Sequence, residues 1–117
     1  MTEIAQTRTI TDAGIVANQV AGNHVFTDYI SRKSNNTLRA HRADLDAFCV
    51  FLVKAGVSSC PGGEALQSEP NAWLGVTWGL VQAFVKASLN EGVALSTVNR
   101  RLSTVKAYAA LAAKAGV

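Results

Sequence analysis

The last stretch of the chain, Leu95–Val117, reads LSTVNRRLSTVKAYAALAAKAGV and decides the fold class. Its apolar side chains recur at helical spacing, which predicts one long helix with an apolar stripe along one side. The stripe is formed by Val98, Leu102, Val105, Ala109 and Ala112. Ser96 or Thr97 is expected to cap the start of this helix, and Gly116 to end it.

The polar side of this helix carries only positive charge. The stretch contains no Asp or Glu beside its four cations, which are Arg100, Arg101, Lys106 and Lys114. An ordinary solvated face is the plainer alternative, since exposed Lys and Arg are commonplace. Such a face usually mixes both signs, however, because i, i+4 ion pairs stabilise a helix. A basic face with short polar donors such as Asn99 and Ser103 is typical of a surface that contacts a nucleic-acid backbone.

Charge is unevenly distributed over the 117 residues, a length that suits one domain with a real core. The net charge is only +3, and all eight acids lie at or before Glu91. A second window without acids, Tyr29–Ala43, holds Arg32, Lys33, Arg39 and Arg42. The rest of the chain is therefore net acidic. Two basic regions on an acidic body indicate a localised anion-binding surface.

The chain divides at about residue 22. Residues 1–22 lack a sustained period and are expected to form a tail, flexible or weakly helical, in which Asp12 caps any short helix. Residues 23–117 are expected to form the folded domain. A tail can also act as an arm that reaches DNA. Because Arg8 is its only basic residue, the plain tail is favoured.

Three further helices are predicted upstream of the last one, at Asn23–Lys33, Thr37–Ala55 and Trp78–Asn90. Ser34 or Asn36 is expected to cap the second of these, and Thr77 the third. The Ser-, Gly- and Pro-rich stretch 57–76 reads as a loop with a short helix hidden around 64–67. No strand signal is present. The predicted fold is all-α, a compact bundle of four main helices.

Several classes of protein are disfavoured. Cys49 and Cys60 are too few for a disulfide framework or zinc pattern, and without a signal peptide both are expected to be plain thiols in a reducing cytoplasm. No apolar run approaches the length of a membrane span. His41 lies on the apolar stripe of its helix, which favours a core histidine over a catalytic or metal-binding one. No constellation of catalytic groups is evident, so no enzymatic activity, cofactor or metal is expected.

The run TLRAHRADLDAFCVFL (37–52), then a helix, a glycine and LSTVNRRLSTVKAY, resembles the N-terminal core-binding domain of tyrosine recombinases, the phage-integrase family. The resemblance covers roughly residues 26–117. It rests on Thr37, Leu45, Phe48, Leu52, Gly92, Thr97, Asn99, Arg100, Arg101, Leu102 and Tyr108. His41 departs from the family pattern, which usually has Tyr there, and this agrees with an inward, structural position.

The resemblance implies a SAM-like four-helix domain that forms one half of a clamp around duplex DNA, with its second and fourth helices across the major groove. It implies three partners: double-stranded DNA, the catalytic domain of the same recombinase, and other recombinase subunits on DNA. It also implies a cytoplasmic, nucleoid-associated protein encoded by a bacterium or phage. The candidate DNA-binding residues are Arg39, Arg42, Thr97, Asn99, Arg100, Arg101, Ser103 and Lys106. Of the two adjacent arginines, Arg100 is the better candidate, because Arg101 lies at the core edge near Tyr108 and is expected to be partly a packing residue.

A small helical protein-interaction module without DNA binding is the alternative. On that hypothesis, outward apolar side chains such as Leu111, Phe51 and Trp73 would dock a partner. In a recombinase the same side chains would meet the catalytic domain or a neighbouring subunit.

Overall fold

Five α-helices and one short 3₁₀ turn make up the computed structural model, which describes residues 9–117. The elements are α1 (Ile10–Ser31), α2 (Asn35–Lys54), α3 (Gly63–Ser68), a 3₁₀ turn (Pro70–Trp73), α4 (Trp78–Asn90) and α5 (Leu95–Lys114). Within these residues no strand is present. The predicted all-α fold with four main helices is confirmed, and the short helix expected near residues 64–67 is α3.

Two helix starts follow the sequence prediction. The Ser34 hydroxyl accepts a hydrogen bond from the Thr37 amide at 3.2 Å and caps α2. The Thr77 hydroxyl accepts one from the Leu80 amide at 3.3 Å and caps α4. Each bond satisfies a first-turn N–H that has no partner within its helix.

The other two main helices start differently from the prediction. Thr9, not Asp12, caps α1, since its hydroxyl accepts from the Asp12 amide at 3.1 Å. The predicted capping of α5 by Ser96 or Thr97 is wrong. The helix begins at Leu95 after an extended Ala94, so both side chains lie inside the first turn and no side chain caps the helix.

Helix α1 is longer than predicted, because it begins at Ile10 and runs without a break through the expected boundary at residue 22. Residues 10–21 are all exposed. Gly22 is buried where α1 meets the end of α5, and a Cβ there would lie 3.1 Å from the Lys114 carbonyl oxygen. The division into tail and domain stays a prediction, and Arg8, the basic residue weighed for the alternative of a DNA-reaching arm, lies outside the described residues.

One half of the core is an aromatic cluster on the fully buried Phe48 of α2. Its ring centroid is 5.2 Å from that of Phe84 on α4, in edge-to-face geometry, and 6.1 Å from that of Trp73. Phe51 stacks on it at 6.3 Å. Aromatic pairs at these separations add to the stabilisation from burial alone, so Phe48 joins α2 to α4 and to the 3₁₀ turn.

The other half of the core is centred on Tyr108 of α5, which is also fully buried. Its ring lies 5.4 Å from Tyr29 and 6.2 Å from Phe26, both on α1, and 5.5 Å from His41 on α2. Tyr108 therefore holds three helices together. The apolar stripes predicted for α2 and α5 face inward, whereas Leu89 near the end of α4 is exposed.

The two cysteines form a disulfide, Cys49–Cys60, with their Cα atoms 5.5 Å apart. The expectation of two plain thiols is contradicted. The chain after α2 turns back along the helix, and this return brings Cys60 beside the buried Cys49. Closing so short a loop is expected to stabilise the fold by about 2–3 kcal/mol through chain entropy.

Across residues 9–117, no helix combines the length and the apolarity needed to span a membrane.

Candidate nucleic-acid interface

A groove lies between α2 and α5, near the start of each helix, and has a volume of about 420 Å³. We call it the α2–α5 groove. It is lined by Tyr29, Thr37, Ala40, His41, Asp44, Arg100, Ser103, Thr104 and Ala107. Most of these side chains are small or polar. The groove joins the helix starts that carry the two basic regions.

Asp44 lies at the floor of this groove and is 1% exposed. Its Oδ1 atom accepts two hydrogen bonds from Arg100, from Nε at 3.1 Å and from Nη2 at 2.8 Å. Its Oδ2 atom accepts one from the Thr104 hydroxyl at 2.8 Å. A buried carboxylate is costly unless it is paired and hydrogen-bonded. Helix α5 supplies the charged partner, Arg100, and one turn later a further hydrogen-bond donor, Thr104.

A second polar network joins α2, α3 and α5 through Gln67, which is buried. Its Oε1 atom accepts from Arg42 Nε at 3.2 Å and from Nη2 at 3.1 Å. Its Nε2 atom donates to the Leu38 carbonyl at 2.8 Å and, at 3.4 Å, to the Tyr108 hydroxyl. That hydroxyl also shares a hydrogen bond of 2.9 Å with His41 Nδ1. Arg42 is therefore held in place by a neutral partner, and no carboxylate within residues 9–117 pairs with it.

Burial shifts the pKa values of two groups in this network, the His41 ring and the Tyr108 hydroxyl. The pKa of His41 lies below its ordinary value of 6.5, mainly because burial disfavours the charged ring; Asp44 opposes this shift and Lys33 adds to it. Burial likewise raises the pKa of the Tyr108 hydroxyl, against the effect of the hydrogen bond from Gln67. The pair is thus neutral at pH 7.

This shift predicts that the domain becomes less stable as the pH falls from about 7 to 5. The unfolded state takes up a proton on His41 near pH 6.5, whereas the folded state takes it up only at lower pH. The stability contributed by the neutral ring is therefore present above pH 6.5 and is lost as the pH falls through the folded pKa. In urea unfolding, H41Q should show a smaller loss between pH 7 and 5 than the wild type. H24Q, which alters an exposed histidine, should match the wild type. Equal losses in wild type and H41Q would contradict the assignment.

The structure separates the eight candidate DNA-binding residues into groups. Arg100 and Ser103 line the α2–α5 groove, whereas Lys106 lines a separate cleft with Trp78. Arg39 and Asn99 are exposed but outside the groove lining, and Thr97 is half-buried. Arg42 is exposed and bonded to Gln67.

Arg101 is half-buried, which agrees with a partial packing role. It lines a cleft with Phe51, Phe84 and Glu91 on the side of α5 that faces α2 and α4. Its Nε atom is buried and has no hydrogen-bond partner among residues 9–117. Its environment is thus the aromatic cluster of Phe48 rather than that of Tyr108, and Arg101 is the weakest of the eight candidates.

Sequence reasoning missed Asp44, Thr104 and Gln67. Asp44 did carry a signal, because it lies three residues after His41 and four before Phe48, on the inward stripe of α2. A charged residue at an inward position indicates a buried ion pair. Gln67 and Thr104 carried no comparable signal, since their partners lie on other helices.

Residues 63–116 match the family model of the phage integrase N-terminal SAM-like domain. Over these 54 of its 117 residues, the chain is similar to the phage integrase N-terminal SAM-like domain. The resemblance recognised in the sequence is confirmed over this segment, which contains α3, the 3₁₀ turn, α4 and nearly all that follows. Helices α1 and α2 precede the match. No catalytic domain is evident within these 117 residues. Searches of curated proteins and of solved structures give no significant match.

Proposed function

We propose that this SAM-like domain binds double-stranded DNA as the N-terminal domain of a tyrosine recombinase and has no catalytic activity of its own. The exposed faces of α2 and α5 would grip the target site. The observation that carries the proposal is the outward face of α5, where Asn99, Ser103 and Lys106 are all exposed and no acidic residue occurs in the helix. A face of this kind in a phage-integrase domain suits contact with phosphates.

The ion pairs in the structure support Arg39, Arg42 and Lys106, more than Arg100, as the source of the proposed affinity for DNA. Arg39 and Lys106 are exposed and form no ion pair among residues 9–117, and Arg42 is bonded only to a neutral amide. The charge of Arg100, in contrast, is balanced by Asp44. With about three phosphates neutralised, the logarithm of the affinity should fall with log salt at a slope of roughly −3. The uncapped first turn of α5 adds N–H donors that suit a phosphate oxygen.

A charge-removal experiment tests the proposal. Fluorescence anisotropy with a duplex of about 30 base pairs would be measured between about 50 and 200 mM salt for wild type and for the double variant R39Q/K106Q. The affinity should fall about tenfold or more at low salt, and the slope should become shallower by about two units, because each phosphate contact contributes about 0.9.

The matched control is K86Q, which removes one exposed positive charge from α4, outside both basic regions. It should change the affinity only slightly and leave the slope unchanged. If R39Q/K106Q binds the duplex with wild-type affinity and slope, DNA binding through these faces is disproved.

The substitution Arg100→Ala is a poor probe of DNA binding in this domain. It would leave the carboxylate of Asp44 without its charged partner, at a cost of about 1–3 kcal/mol in stability. A loss of binding in that variant would mix unfolding with the loss of a DNA contact. The variants above avoid this ambiguity.

The alternative, a protein-interaction module, needs different residues from those expected. Leu111 and Trp73 are buried and Phe51 is half-buried, so they are not the outward anchors predicted. The observation that favours this alternative is an apolar cleft of about 360 Å³ between α4 and α5. Beside it Trp78 is 77% exposed.

In a recombinase this cleft would suit the catalytic domain or a neighbouring subunit. Gel filtration without DNA separates the hypotheses. A stable oligomer that is unaffected by added duplex, together with no binding in the anisotropy assay, would favour the interaction module.

A DNA-binding role would place the domain with the nucleoid of a bacterium, or with DNA that a phage supplies. Disulfides persist mainly in oxidising compartments. In a reducing cytoplasm the Cys49–Cys60 bond would therefore form only on oxidation.

A further inference from the structure

We infer that Asp44 is a positioning residue, which holds Arg100 in a fixed orientation so that Arg100 reads a base edge in the DNA. The inference rests on the proposed DNA binding and assigns affinity and sequence preference to different residues. Arg39, Arg42 and Lys106 supply affinity for phosphates, whereas the Asp44–Arg100 pair supplies sequence preference.

The first step is the contrast in exposure between the two partners. The side chain of Arg100 is 59% exposed, whereas that of Asp44 is only 1% exposed. A pair formed only for stability would not need its cation at the surface. Here the guanidinium pairs with a buried carboxylate while its side chain stays largely exposed and lines the α2–α5 groove.

The second step concerns the donors that remain free. A guanidinium has five N–H donors in a fixed plane. Arg100 uses its Nε donor and one Nη2 donor on Asp44 Oδ1, and Nη1 has no hydrogen-bond partner within residues 9–117. The Nη1 and Nη2 end of the plane thus remains available as a two-donor edge. Two such donors match the O6 and N7 acceptors of guanine in the major groove.

The third step is the support behind the carboxylate. Thr104, itself buried, donates to Asp44 Oδ2 at 2.8 Å. Arg100 and Thr104 lie one turn apart on α5, while Asp44 lies on α2, so the carboxylate is fixed from both helices. Long side chains lose rotamer freedom on binding, and a pre-oriented arginine loses less.

The fourth step is the charge balance. Because Asp44 cancels the charge of Arg100, this pair contributes little to attraction for phosphates. Small side chains, Ala40, Ser103 and Ala107, line the same groove and leave room for a base edge to approach. An arginine side chain that is held in one orientation and whose charge is balanced suits base reading better than backbone binding.

The test is a selection from a library of duplexes with a randomised central segment, followed by sequencing of the bound fraction. Wild type should enrich guanine about tenfold at one position, the discrimination expected of one bidentate arginine contact. In D44N this preference should fall to about twofold or less. At the same time the slope of log affinity against log salt concentration, measured on a duplex of arbitrary sequence, should become steeper by about 0.9. The reason is that the positive charge of Arg100 is no longer balanced.

Two variants of Thr104 keep the test valid if D44N fails to fold. T104V removes the donor to Asp44 without changing any charge, so it should weaken the guanine preference and leave the salt slope unchanged. T104S keeps the donor and should restore the preference. E64Q, which removes one exposed acid from α3, is the charge control and should keep the guanine preference.

The outcomes distinguish this inference from the proposed function. If wild type binds duplex with the expected salt slope but selects no base, the positioning role is wrong and the DNA-binding function stands. Full guanine preference in folded D44N or T104V would also disprove the positioning role. If wild type binds no duplex at all, the proposed function fails, and this inference fails with it.

Discussion

Replacing Phe48 by alanine should lower the free energy of unfolding by about 3–5 kcal/mol. The ring is fully buried and contacts three others, those of Phe51, Trp73 and Phe84. Its removal would leave a cavity between α2, α4 and the 3₁₀ turn. Because these elements belong to separate parts of the chain, the cavity cannot close without moving a whole helix.

Urea unfolding followed by circular dichroism measures this loss directly. V50A is the matched control on the same helix, because Val50 is 55% exposed. It should change stability by about 0.5 kcal/mol or less. A loss below about 1 kcal/mol in F48A, far under the range for a buried ring, would mean that α2 and α4 are not packed through this ring.

Several features with local causes were predictable from the sequence. Helix α4 starts and ends where its pattern and Thr77 indicated, and α2 is capped by Ser34 as expected. In these cases the capping residue and the apolar period lie within a few residues of each other. The same holds for the outward face of α5, whose members follow from the rotation of about 100° per residue.

Features that depend on contacts between distant residues were not predictable. The Asp44–Arg100 pair joins residues 56 positions apart, so no local pattern indicated that the charge of Arg100 is already balanced. The Cys49–Cys60 bond depends on the path of the loop after α2. The start of α1 was missed because the helix has almost no amphipathic period to mark it.

Replacing Gly63 by alanine should destabilise the domain by about 1–3 kcal/mol. Gly63 is the first residue of α3 and is buried against α2, with its amide donating to Asp46 Oδ1 at 2.7 Å. A Cβ at this position would lie 2.5 Å from the carbonyl oxygen of Arg42. That oxygen belongs to the backbone of α2 and cannot rotate away, so α3 would have to move outward.

The movement would have a spectroscopic signature. The indole N–H of Trp73 donates to the Leu66 carbonyl of α3 at 2.7 Å and is buried. Displacement of α3 should therefore shift tryptophan emission to the red, while the exposed Trp78 gives a constant background. The control is G14A on α1, where an added Cβ meets no atom within 4 Å. It should stabilise the domain by about 0.5–1 kcal/mol, since alanine favours the helix.

The same displacement would reach the proposed DNA-binding face, because Gln67 of α3 holds Arg42 in place. G63A should therefore weaken duplex binding even under conditions where it is fully folded, whereas G14A should not. If G63A keeps wild-type stability, emission and duplex affinity, α3 does not seat against α2. Arg42 would then be positioned by α2 alone, and its contact with Gln67 would have no part in DNA binding.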